Sequence, residues 1–154
     1  MSLLIAALLI GVVAGLRTFM APMAVSWAAQ LGWIDLSQSW LAFLGYQWTP
    51  YVLTALALVE LVTDQLPSTP SRKVPPQFGA RLVSGALSGA ALGVAGGSLM
   101  GGLVAGVVGA IVGTLGGAAG RARLAASFGK DAPAAFIEDA IAILGAWAIV
   151  AGLK

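Results

Sequence analysis

The 154-residue sequence has no cysteine and no histidine, and charged residues make up only 9% of it. Without cysteine there is no disulfide, no thiolate nucleophile and no thiolate metal site. Without histidine the chain lacks the commonest acid–base residue and the commonest metal ligand. A soluble domain carries roughly 25% charged residues, so an ordinary water-facing surface is excluded. The alternation of apolar and polar residues that a spanning β-barrel needs is also missing. The net charge of +2 comes from bases set between apolar runs. That is what the positive-inside bias produces, and it gives no reason to expect a nucleic-acid partner.

What the chain does have is apolar length. Hydrophobic residues make up 59% of it, and the mean hydropathy is +0.95. Its runs suit bilayer crossings of about 20 residues as helix. The expected fold is therefore all-α: a polytopic transmembrane helical bundle, one integral membrane domain over 1–154. About five spans are expected, near 3–30, 49–66, 79–97, 98–119 and 133–152. The start, "MSLLIAALLIGVVAGL", has no basic region and no small-residue cleavage site before a polar segment, so it reads as a first span. Pro22 removes a helical hydrogen bond, which predicts a kink or break near Arg17–Pro22.

The stretch 31–48 holds one acid, no base, and Trp33, Trp40, Tyr46 and Trp48. That is the make-up of an interfacial segment. Thr49-Pro50 opens the second span, since proline suits a first helical turn. The stretch 67–78 contains four prolines and reads as a loop, with Pro67 ending the helix before it. Residues 120–132 read as a basic loop. Arg72, Lys73 and Arg81 flank one loop; Arg121, Arg123 and Lys130 lie in the other. If 3–30 crosses once, both loops and the N-terminus fall in the cytoplasm of a bacterial inner membrane.

Residues 79–119 contain thirteen of the 21 glycines. Gly85, Gly89, Gly93, Gly97 and Gly101 recur every four residues, and so do Gly109, Gly113 and Gly117. In lipid, such GxxxG faces let backbones approach and hold helices by packing. A break near Gly96-Gly97-Ser98 makes a hairpin of spans three and four. The second glycine face exceeds what one hairpin consumes, so a two-fold homodimer is expected.

A few charges fall where a loop cannot explain them. Arg17 lies about fourteen residues into the first run, near mid-bilayer at about 1.5 Å per residue. An Arg there costs about 2.5–3.5 kcal/mol on insertion scales, so it needs a partner or a wet cavity. Glu60 and Asp64 are one helical turn apart at the end of span two, Glu138 and Asp139 lie early in span five, and Arg81 opens span three. These groups should converge near one membrane face, with Glu60 the buried partner of an arginine. "GLRTFMAPMAVSWAA" (15–29) and "GARLVSGALSGAALG" (79–93) share Gly-x-Arg before a small-residue helix, a faint internal echo of the kind transporter repeats leave.

"GLRTFMAPMAV" and "ELVTDQLPSTPSR" running to "ARLVSGALSGAAL" resemble a bacterial membrane family known as domain of unknown function 4126. The residues that match its pattern are Gly15, Arg17, Pro22, Glu60, Asp64, Pro67, Arg81 and Gly85; Gln65 stands where the pattern has Lys. The resemblance covers most of the chain. It implies a multi-span inner-membrane protein and no particular reaction.

The expected function is that of a transporter or flippase-like protein for an anionic solute or lipid headgroup. Arg17 and Arg81 would attract the anion, while Glu60, Asp64, Glu138 and Asp139 hold the arginines or relay protons. The alternative is a structural or accessory membrane protein whose charges only lock helices together. An enzyme is not expected, since no nucleophile–base pair, metal cluster or cofactor fingerprint accompanies the acids. The lipid bilayer is the one partner the composition demands.

Overall fold

The computed structural model describes residues 2–63 and 75–153, except the side chain of Asp131. Asp64 and Pro67, with Arg72 and Lys73, lie outside the described residues. The helices are α1 (Leu3–Leu16), α2 (Met20–Gln30), a 3-10 turn at Trp40–Gly45, α3 (Thr49–Thr63), α4 (Pro75–Ala95), α5 (Leu99–Phe128) and α6 (Asp131–Ala151). No strand occurs among the described residues.

The first apolar run does break, as its sequence suggested, and it forms two helices. Pro22 is not itself the break. It is the third residue of α2, where a first-turn N–H has no helical partner to lose. Helices α4, α5 and, from Ala132, α6 are long and apolar enough to cross a membrane. With 14 and 15 residues, α1 and α3 are shorter apolar helices. At about 1.5 Å per residue each rises some 21–23 Å, less than a hydrocarbon core of about 30 Å. The expected count of about five crossings thus becomes three full-length helices plus shorter ones.

Helix α5 runs on through 120–128, the stretch expected to be loop. Nothing in "GRARLAASF" after its Gly stops a helix, and Ala, Arg and Leu favour one. The stop comes at Gly129, in the left-handed conformation (φ +74°) that glycine adopts without strain. The α4–α5 turn is the expected one. Gly97 takes φ +85°, the Ser98 N–H donates to Gly93 O at 2.7 Å, and the Ser98 hydroxyl accepts from Gly101 N–H at 3.2 Å.

Glycine decides how α1, α4 and α5 pack. A Cβ added at Gly89 would lie 2.7 Å from Gly106 Cα, and one at Gly93 2.7 Å from Gly102 Cα. These contacts lock α4 against α5 as the repeat implied. The other glycine face of α5 is covered too, but from within the chain. Gly109 meets Val12 N at 2.8 Å and Gly113 meets Val12 Cα at 2.9 Å by the same measure. Helix α1 therefore occupies Gly109 and Gly113, two of the three positions on the face from which a homodimer was expected.

The same contacts give direction. Leu3 lies beside Gly96 and Gly15 beside Thr114, so α1 runs parallel to α5 and antiparallel to α4. The N-terminus sits at the end of the α4–α5 turn, away from Arg121 and Arg123. Outward-facing Val104, Val108 and Val112 on α5, Ile141, Leu144 and Trp147 on α6, and Val52, Val59 and Val62 on α3 are exposed, and they form the apolar surface a bilayer would cover.

Candidate functional site

Between α1 and α2 the backbone opens at Arg17, which is extended (φ −143°, ψ 119°). Breaking a helix strands the carbonyls of the leading piece and the N–H groups of the trailing one. In a protein surrounded by lipid, these groups must find partners inside the protein. Side chains from three other helices, and Arg17 itself, supply them.

At the start of α2 the donors are met by Glu60 of α3. Thr18 N–H donates to its Oε1 at 2.6 Å and Phe19 N–H to its Oε2 at 2.8 Å. At the end of α1, Leu16 O accepts from Arg17 Nη1 at 3.0 Å and from Arg81 Nη1 at 3.1 Å. Gly15 O accepts from Arg81 Nη1 at 3.2 Å and from the Thr114 hydroxyl at 3.4 Å. The Ser84 hydroxyl donates to Thr18 O. A helix carries about half a positive charge at its N-terminus and half a negative one at its C-terminus. The carboxylate therefore sits at the positive end of α2 and the guanidinium groups at the negative end of α1.

Arg17 is completely buried. Its Nε donates to Asp139 Oδ1 at 2.7 Å, its Nη1 to Glu138 Oε1 at 2.8 Å, and its Nη2 also to Asp139 Oδ1. The Arg17–Glu138 and Arg17–Asp139 ion pairs tie the break to α6. Such a buried set roughly offsets its own desolvation, whereas loss of one partner costs about 3–5 kcal/mol.

Arg17, Arg81, Glu60, Glu138 and Asp139 are thus gathered around one break. Their pairing differs from the expectation in one respect. Glu60 gives both carboxylate oxygens to backbone N–H groups and not to an arginine, because the open N-terminus of α2 presents two donors directly to it. Arg81 lies six residues beyond the start of α4, only 3% exposed, since α4 begins at Pro75. The Gly-x-Arg echo does not extend to structure, for α4 is continuous where the first segment breaks, although the two arginines meet at Leu16 O.

Sequence reading missed Ser84, Thr114 and the stranded backbone groups of residues 15–19. A hydroxyl on a glycine-lined helix face was the available signal for Ser84 and Thr114. It also placed Arg121 in a loop. That residue lines a cavity of about 200 Å³ between α5 and α6, with Leu16, Gly116, Gly120, Ile137 and Glu138 among the other walls.

Over residues 4–151 the chain matches the family described as domain of unknown function (DUF4126), and it belongs to that family. Neither a curated protein nor a solved structure matches it.

Proposed function

We propose that this membrane protein is a small transporter or flippase-like protein of the bacterial inner membrane, handling an anionic solute or lipid headgroup at the α1–α2 break. One observation supports this most: a helix interrupted inside the bundle, with charged side chains of α3, α4 and α6 at its open ends. Secondary transporters build substrate and ion sites from such discontinuous helices. Arg17 is the group that would meet the anion. Glu138 and Asp139 already hold it, so an anion exchanges with a carboxylate and does not simply add. A proton on Glu138 or Asp139 removes the competing charge, which couples anion entry to proton uptake.

A second reading has its own support. Glu60 and Arg81 bond the backbone of the break, as helix caps do, and such bonds need no ligand. On that reading the protein is structural or accessory. Proteoliposome uptake of phosphorylated and carboxylated solutes under an imposed pH gradient separates the two. The comparison is between the natural protein and the Arg17→Met/Glu138→Gln/Asp139→Asn variant, which removes the Arg17 ion set as a whole. Uptake lost in a folded variant supports transport. No uptake of any solute by the natural protein favours the structural role.

With the N-terminus at the α4–α5 turn, the positive-inside bias supports a reading with the Arg121–Lys130 end in the cytoplasm and the N-terminus across the membrane. That reverses the orientation expected for a single crossing by residues 3–30.

A further inference from the structure

Helix α1 descends from the α4–α5 turn and stops at Leu16, and the bonds of the next residues indicate which way the chain leaves. Arg81 donates to Gly15 O and Leu16 O. The Ser84 hydroxyl donates to Thr18 O, the carbonyl that Pro22 has no N–H to meet. On α4, Ser84 stands about 4.5 Å nearer the α4–α5 turn than Arg81. Two residues after Leu16 the chain is therefore already moving back toward that turn. Helix α3 runs antiparallel to α2. Glu60 meets Thr18 and Phe19, Thr54 meets the Trp27 indole, and a Cβ added at Gly45 would lie 3.4 Å from that of Ala29. Among the described residues, the core that holds Ala21, Val25 and Ala28 of α2 takes in Leu92 of α4 and Ala146, Ile149 and Val150 of α6. These all lie on the α4–α5 turn side of Arg81 and Glu138. Ala134 and Ala135, buried near the other end of α6, are outside that core.

We infer that α1 and α2 form a re-entrant hairpin that enters and leaves the membrane on the face of the α4–α5 turn, with the aromatic segment 40–51 seated in the lipid headgroup layer of that face. Helices of 14 and 11 residues rise about 21 and 16 Å, each short of a hydrocarbon core of about 30 Å, and a hairpin needs neither to span it. Irregular backbone at membrane depth is tolerated only inside protein, and Gly15 and Arg17 at the tip are buried. The segment after α2 is fixed to it by Leu41 and Leu44, which are buried, and by the Ser26 hydroxyl, which donates to Leu44 O. Trp40, Phe43, Tyr46, Trp48 and Tyr51 stay exposed, and they continue upward from the exposed Val52, Val59 and Val62 of α3. Amphipathic rings at the end of a lipid-facing stripe, with no base between Arg17 and Arg72, suit the headgroup layer. With Leu3 at that interface, Arg17 lies about 21 Å into the core, nearer the Arg121 face than the aromatic one. The inference does not need the proposed function: it holds whether the charges handle an anion or only lock helices.

The test is sidedness in the full chain, which has no natural cysteine. Single variants in intact cells are exposed to a membrane-impermeant maleimide before and after permeabilisation. Helix α6 runs antiparallel to α1, since Arg17 bonds Glu138 and Asp139 while a Cβ at Gly145 would lie 3.8 Å from Val13 Cγ2. Gly152→Cys therefore marks the α4–α5 turn side, and Arg123→Cys and Lys130→Cys mark the other. Asp35→Cys and Gln38→Cys, both at exposed positions, should label with Gly152→Cys and opposite to Arg123→Cys. Labelling of both with Arg123→Cys would mean that α2 continues across the membrane, and the hairpin would be wrong. Sites 35 and 38 that react only after denaturation would overturn the headgroup placement. Nitroxides on Trp40→Cys and Trp48→Cys should read a depth close to the phosphates, and one on Val59→Cys a depth well inside the core. Collision with an aqueous nickel chelate at sites 40 and 48 as free as at Lys130→Cys would refute the aromatic anchor.

Discussion

Replacing Glu60 tests whether the helix break is held by side-chain capping. Glu60→Ala strands the Thr18 and Phe19 N–H groups, which now donate to its carboxylate at 2.6 and 2.8 Å. Each hydrogen bond to a charged group is worth about 1.5–3 kcal/mol, so two give an upper range of about 3–6 kcal/mol. Glu60 is half-buried, and water can take over part of the lost bonding, which lowers the expected loss to about 2–4 kcal/mol. Glu60→Gln keeps the side-chain length and one acceptor but turns an amide N–H toward a donor. It also loses an attraction to the helix end of about 0.3–1 kcal/mol. Its expected loss is smaller, about 1–3 kcal/mol. Unfolding in mixed micelles can be followed through Trp27, whose indole N–H donates to Thr54 across α2 and α3 at 2.9 Å and whose ring stands edge-on to Tyr51. Hydrogen exchange at Thr18 and Phe19 gives a local readout. If Glu60→Ala stays within about 0.5 kcal/mol of the natural protein and both amides remain protected, the capping argument is wrong.

Other expectations follow from the same contacts. Arg17→Ala removes the cation that Glu138 and Asp139 share and should lose about 3–5 kcal/mol in the same unfolding assay, while the triple Arg17→Met/Glu138→Gln/Asp139→Asn variant recovers most of it. Gly106→Ala puts a methyl onto the Gly85 carbonyl and 2.9 Å from Gly89 Cα, so it should destabilise the bundle by about 1–3 kcal/mol through overpacking. Gly116→Ala, with nothing within 4 Å, should instead gain up to about 1 kcal/mol from helix propensity. Hydrogen bonds from the Ser37 hydroxyl and then the Ser37 N–H hold the Asp35 carboxyl below its ordinary value of 3.8. A depressed carboxyl stabilises the fold above the unfolded pKa, and that contribution is lost as pH falls through the folded value. Titration by NMR should show Asp35 moving up toward 3.8 in Ser37→Ala.

Helix class, apolar extent and the glycine seam were legible in the sequence because each rests on a period or a composition. Gly85, Gly89 and Gly93 recur at four-residue intervals, and that spacing alone puts them on one face of α4. The break was legible as a location, from an arginine and a proline in one apolar run, but its cause was not. Proline drew attention to Pro22, while the chain opens at Arg17, where three side-chain bonds to α6 and one to Leu16 O are available. Pairing was the least legible part. Charge sign suggested Glu60 with an arginine, yet a stranded backbone N–H is just as strong a claimant for a carboxylate, and a sequence does not display its stranded N–H groups. The partner of Gly109 and Gly113 was hidden for a similar reason. A small-residue face declares that something will approach closely, and α1 shows no matching repeat beyond Gly11 and Gly15 to say that it is the element that does.

The capping demand of the break also separates the charges into those it requires and those it does not. One carboxylate meets the two donors of α2, and Arg81, Thr114 and part of Arg17 meet the carbonyls of α1. The bonds described for Glu138 and Asp139 come from the Arg17 side chain and answer its charge. An uncharged donor at position 17 could serve Leu16 O with neither acid present, and replacing a buried ion set by well-packed neutral groups is often neutral or stabilising by about 1–4 kcal/mol. The Arg17–Glu138–Asp139 set therefore exceeds what holding the helix ends requires. It is also the set that borders the α5–α6 cavity, through Glu138. Charges beyond structural need, at a broken helix and beside an open groove, are where strain and polarity are retained for function. On the proposed transport reading, an activity is to be sought at Arg17 and α6, with Glu60 and Arg81 holding the break open through its backbone.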